Sequence, residues 1–117
     1  MSNFNILHNP RCSKSRQTLA LLQENGIEPN IIEYLKDTPS KTKLKHILKL
    51  LGVSPREIIR KNEAEYLEAG LDNESLTKEQ IIELMVQFPK VIERPIVFTE
   101  DKAAVGRPPE NILQLIK

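Results

Sequence analysis

The sequence predicts an α/β protein: strand, helix and strand first, then a helical middle, then two strands and a closing helix. Three observations carry this reading. Apolar residues cluster in short runs near both ends (Phe4, Ile6 and Leu7; Ile31 and Ile32; Ile96 to Phe98), which suits strands. The middle instead shows apolar residues at helical spacing, bounded by helix-start signals. The first strand-helix-strand unit takes about 33 residues, the length of a parallel βαβ crossover with right-handed connection.

Phe4 to His8 reads as the first strand, and Asn9-Pro10 breaks it. A helix follows from Cys12 or Ser13, with apolar residues at 19, 21 and 22, and stops at Asn25-Gly26. Ile31, Ile32, Tyr34 and Leu35 form the second strand after Pro29. Leu44, Ile47, Leu48 and Leu51 lie at i, i+3, i+4 and i+7, a helix that Gly52 ends. Ser54-Pro55-Arg56-Glu57 combines a capping box with proline at the first helical position, and Thr77 to Gln80 is a second capping box. The helix after it carries apolar residues at 81, 84, 85 and 88 and stops at Pro89. Ile96 to Thr99 and Lys102 to Val105 flank Glu100-Asp101 as a hairpin, and Pro108-Pro109-Glu110 opens a last helix. This order fits a thioredoxin-like sheet with a helical insertion, about residues 40–88, between its halves. Order and periodicity alone support only the α/β class; the thioredoxin assignment leans on the motif at the first helix start. Residues 1–117 are therefore expected to form a single domain.

Composition narrows the function classes. The 117 residues are 39% hydrophobic, enough for a core without disulfides, and the formal net charge of +1 gives no bulk attraction to nucleic acid. The near-zero charge hides an asymmetry. Residues 1–61 hold 11 Lys and Arg against 5 Asp and Glu, whereas residues 62–117 hold 6 against 11. One Cys and two His exclude an internal disulfide and argue against an all-protein metal site, so no metal and no bound cofactor are expected. The longest apolar run is four residues, Leu19 to Leu22, too short to span a membrane. The start, MSNFNILHNP, lacks the basic end and apolar stretch of a secretory signal. A cytoplasmic protein is expected.

The informative stretch is His8-Asn9-Pro10-Arg11-Cys12-Ser13-Lys14-Ser15-Arg16, a strand-to-helix turn with the only Cys at the helix start. Free N–H groups and the positive end of the helix dipole favour thiolate there, and the same N–H groups suit an oxyanion. Ser15, one turn on, is expected to offer its hydroxyl to the sulfur. His8 has two uses open to it: tuning the thiol or carrying a proton, and closing the strand end with a hydrogen bond. An ordinary buried Cys would sit among apolar neighbours, and these are polar and basic.

His-Asn-Pro-x-Cys-x-x-Ser-Arg resembles the signature of the glutaredoxin-dependent arsenate reductases, the ArsC family. Arg60-Lys61-Asn62, Arg94-Pro95-Ile96-Val97 and Gly106-Arg107-Pro108 are similar to that family's other blocks, in the same order. The resemblance implies a thioredoxin-like fold in which Cys12 attacks arsenate. It further implies that Arg60, Arg94 and Arg107 bind the oxyanion, and that Pro95 is a cis-proline placing the Arg94 backbone beside the thiol. Reducing arsenate to arsenite takes two electrons, and two thiols joining as a disulfide supply them. With one thiol in the chain, glutathione as external co-substrate and glutaredoxin as partner are implied. Arg11 and Lys14 depart from the family pattern by adding charge where many members have small residues. The chain also ends at Lys117, where many members continue with a further tail.

Two other readings share parts of this pattern. A Spx-type transcriptional regulator has the fold and the Arg-Pro-Ile block, but it senses oxidation through a Cys-x-x-Cys pair whose second position here is Ser15. A monothiol glutaredoxin-like protein would share the Cys12-x-x-Ser15 spacing, and the arginines at 60, 94 and 107 argue instead for an oxyanion substrate.

Overall fold

The computed structural model describes residues 3–116, which divide into two compact units, residues 3–37 with 94–116 and residues 38–93. The first unit holds a four-stranded sheet in the order β2-β1-β3-β4, where β1 is Asn5–Leu7, β2 Asn30–Ile32, β3 Ile96–Phe98 and β4 Ala103–Val105. β1 and β2 are parallel, as a helical crossover requires; β1–β3 and β3–β4 are antiparallel. The crossover is helix α1, Ser13–Glu24.

Register builds the core of this unit. Ile6 lies opposite Val97, and Val97 opposite Ala104, so the three share one face of the sheet. They are buried with Leu22 of α1 and with Ile112 and Leu115 of the closing helical segment. Phe4, Leu19, Ile27 and Ile116 pack around that cluster.

The second unit is helical. Its α2 spans Lys41–Leu51, with Ser40 accepting a hydrogen bond from the Lys43 N–H and Gly52 closing the helix at φ +70°. Leu44, Ile47 and Leu48 of α2 are buried, as are Ile81, Ile82 and Met85 of α4, Lys78–Gln87. The Thr77 capping box is formed in both directions: the Thr77 N–H donates to Gln80 Oε1 at 2.8 Å and the Gln80 N–H to Thr77 Oγ1 at 3.2 Å. Across the exposed side, Lys41 pairs with Glu79 and Glu83, and Lys45 with Glu79.

Four elements differ from the sequence expectation. The second strand ends at Ile32, because Tyr34 and Leu35 lie in a turn closed by the Lys36 N–H on the Glu33 carbonyl. The Ser54 start signal opens only a four-residue 3-10 turn, Pro55–Ile58, after which Ile59 goes extended and bridges Ile92. A short helix α3, Ala64–Glu68, has no buried residue and so left no apolar stripe to read. The closing segment, Pro109–Leu115, is a 3-10 helix in place of an α-helix, with Ile112 and Leu115 on its buried side. Among the described residues, no helix is long and apolar enough to cross a membrane.

One close approach fixes the loop after β4. A Cβ on Gly106 would stand 2.5 Å from Thr18 Oγ1 and 2.8 Å from Pro95 Cγ. Both neighbours are rigid and buried, a β-branched side chain on α1 and a proline ring. Gly106→Ala is expected to cost about 1–3 kcal/mol by overpacking. The melting temperature should then fall by roughly 5–15 °C. A thermal melt coinciding with that of the parent would show that the contact is easily relieved.

Candidate active site

Strand β1 delivers its C-terminal end to the site. The His8 N–H continues the ladder to the Ile32 carbonyl at 2.8 Å, and the chain then turns through Asn9, Pro10 and Arg11. Asn9 organises that turn from both ends of its own residue: its side-chain oxygen accepts from the Arg11 N–H at 3.0 Å and its carbonyl from the Cys12 N–H at 3.0 Å. Cys12 is thereby left extended, at φ −96° and ψ 123°, as the N-cap of α1, with its carbonyl accepting the Arg16 N–H. No side chain caps the helix at this position. The open N–H groups of the first turn face the sulfur instead.

The thiol is half-buried and sits in a field that favours its anion. Burial pushes the Cys12 thiol up, but hydrogen bonds from the Ser15 N–H, the Arg94 guanidinium and the Lys14 N–H, with the charge of Arg94, together hold it below the ordinary thiol range. Arg107 adds a direct contact, its Nη2 lying 3.6 Å from Sγ. The pH profile of Cys12 alkylation should therefore have its midpoint below that of a free thiol, about 8.5. A midpoint at or above that value would remove the activated thiolate.

Arg107 is held in place against the backbone of Arg94. Arg107 Nε donates to the Arg94 carbonyl at 2.8 Å, and the Arg107 carbonyl accepts from Asn111 Nδ2 at 2.9 Å. The Arg94–Pro95 peptide is cis, and so is Arg107–Pro108. The Gly106 N–H donates to the Pro95 carbonyl at 2.9 Å, joining the two Arg-Pro segments behind the sulfur. Sequence reasoning missed Thr18, Gly106 and Asn111 as supports. Gly106 was in plain view within its block, but its neighbours are 88 and 11 residues away in the chain, and spacing does not reveal them.

Ser15 corrects one expectation. Its hydroxyl has other partners: it accepts the Asn9 N–H at 3.0 Å and lies 2.6 Å from His8 Nδ1. One hydroxyl proton remains, and it is available to that ring nitrogen. Burial pushes His8 down from its usual range, against the pull of Glu33 and with the charge of Arg16, which favours the neutral ring. Ser15 thus serves the thiol through its backbone, while its fully buried side chain ties the Cys12 loop to β1. His8 is buried, and its ring meets that loop through this bond.

Arg60 lies in the second unit. There its Nη1 meets Glu93 Oε1 at 2.9 Å and its Nε meets Glu63 Oε2 at 3.4 Å. Burial lowers the guanidinium's affinity for its proton, but these two carboxylates more than restore it. Among the described residues, no three His, Cys, Asp or Glu converge as metal ligands would.

Comparison with known proteins agrees with this geometry. The model of the ArsC family matches residues 7–115. An arsenate reductase of Neisseria meningitidis serogroup A is 45% identical over 113 residues, covering 96% of this chain and 97% of its own. YfgD of Escherichia coli K12, an uncharacterized protein, is 49% identical over 112 residues, covering 95% and 94%. The solved structure of an arsenate reductase from Vibrio cholerae superposes with a TM-score of 0.92 at 43% identity, covering 97% of each chain. A match across nearly the whole length, with the site blocks in order and the sulfur framed as described, places this chain in the ArsC family.

Proposed function

We propose that the protein reduces arsenate to arsenite through Cys12, with glutathione as reductant and glutaredoxin as the partner that resets the enzyme. The observation that carries this reading is the sulfur itself. It stands at an uncapped helix N-terminus with Arg107 Nη2 at 3.6 Å and Arg94 stabilising its anion. A thiolate and an arsenate dianion repel each other, and convergent guanidinium and N–H donors offset that repulsion where the two must meet.

The chemistry balances with one protein thiol. The Cys12 thiolate attacks arsenic and displaces an oxygen as water, forming an S–As bond. Glutathione thiolate then attacks the Cys12 sulfur. The S–As pair stays on arsenic, which leaves as arsenite, and Cys12 becomes a mixed disulfide with glutathione. A glutaredoxin thiolate attacks the glutathione sulfur of that disulfide and frees Cys12. Reduced glutathione at the concentrations of the cytoplasm suits the second step. Arg94 and Arg107 hold the oxyanion in this scheme; for Arg60 an oxyanion-binding role rests on the resemblance of its block alone.

The test is arsenite release by the purified protein supplied with glutathione and glutaredoxin. Release that persists in Cys12→Ser at the parent rate would overturn the proposal.

A further inference from the structure

The first turn of α1 breaks a rule of helix stability. Carboxylates belong at a helix N-terminus and cations oppose its dipole, yet the first turn of α1 contains no acidic residue. Lys14 and Arg16 stand there instead, and Arg11 precedes the N-cap. Arg16 is occupied, its Nη1 donating to the Pro10 carbonyl at 2.9 Å. The side chains of Arg11 and Lys14 are exposed, and neither takes part in an ion pair among the described residues. Both residues lie within two positions of a thiol that is itself only half-buried. Charge set against local stability and left unneutralised beside a nucleophile points to an anionic visitor.

We propose that Arg11 and Lys14 make Cys12 selective for thiols and disulfides that carry carboxylates, the class to which glutathione belongs. This rests on reading Cys12 as a nucleophile in thiol exchange, and it names what that reading leaves open: how the second sulfur is chosen. Arg94 and Arg107 are half-buried and act on the sulfur. Arg11 and Lys14, being exposed, are left to meet the carboxylates of the incoming thiol in solvent. A unit charge about 8 Å from a unit anion in water changes its local concentration roughly twofold, so two such cations act on both capture and exclusion.

The experiment follows thiol exchange directly, without arsenate. The Cys12 thiolate attacks one sulfur of a small disulfide, the S–S bond breaks, and the other half leaves as a thiolate carrying the electron pair. Second-order rates are measured by intact mass with glutathione disulfide (anionic), cystamine (cationic) and hydroxyethyl disulfide (neutral). Each charged rate is divided by the neutral rate of the same variant, which removes differences in thiolate fraction. The parent should favour the anionic disulfide over the cationic one. In Arg11→Ala/Lys14→Ala that preference should fall about tenfold, and in Arg11→Glu/Lys14→Glu it should fall further or invert. Raising the ionic strength to about 0.5 M should flatten the parent's preference, since the screening length then drops to a few ångströms. A preference unchanged in both double variants overturns the proposal. Loss of arsenite release with charge selectivity intact would instead count against the function proposed above and leave this inference standing.

Discussion

Given arsenate and glutathione but no glutaredoxin, the protein is expected to stop after one turnover, with glutathione attached to Cys12. The reason is the thiol count. Cys12 is the only sulfur nucleophile in the chain, and Ser15 cannot replace a second one because a hydroxyl does not exchange with a disulfide. The Ser15 hydroxyl is in any case held between Asn9 and His8. Arsenite formed should equal enzyme present, and intact mass should show one glutathione adduct. Adding glutaredoxin should remove the adduct and restart turnover, because glutaredoxin attacks the glutathione half of such a disulfide. Cys12→Ser should form neither adduct nor arsenite. Sustained multiple turnover with thioredoxin as the sole thiol source would rule this mechanism out.

Arg107→Ala should lower kcat/KM for arsenate by roughly ten- to a hundredfold, the effect of losing charge-assisted hydrogen bonds worth about 1.5–3 kcal/mol. Two contacts set this expectation. Nη2 lies 3.6 Å from Sγ, where an oxyanion bonded to that sulfur would gather charge, and Nε holds the Arg94 carbonyl at 2.8 Å. Truncation therefore removes one guanidinium and leaves the Arg94 carbonyl without this donor. Arg107→Lys restores the charge but not the paired contacts, since a lysine ammonium lacks the planar fork that spans sulfur and carbonyl. It should recover only part of the loss. Parent-like kinetics in both variants would mean that the oxyanion binds elsewhere. Arg60→Ala offers a contrast: its charge is already answered by Glu63 and Glu93, so the variant also tests whether that pairing serves the second unit's own stability.

Local patterns in the sequence specified much of this molecule. The α2 stripe ended by Gly52, the Thr77 capping box and the Ile96–Phe98 and Ala103–Val105 hairpin follow from interactions within a few residues, and the βαβ opening from the order and spacing of its elements. A helix start beside a lone Cys was equally legible, because N–H donors at an N-terminus depend only on where the helix begins. The 3-10 form of Pro109–Leu115 was not, since a proline start and an apolar stripe fit either helix and packing on the sheet decides between them.

Tertiary structure decided what surrounds the sulfur. The orientation of Ser15 depends on His8, seven residues away and at the end of a strand, so one-turn spacing on α1 pointed to the wrong acceptor. The placement of Arg107 depends on Arg94, thirteen residues back, and on a glycine that lets the loop after β4 lie against Thr18. By itself the sequence determined which chemical groups the protein owns: one thiol, a helix start beside it and a set of arginines. Only the fold decided which of them touch, because contacts between distant segments arise from sheet register and close packing, neither of which leaves a periodic mark along the chain.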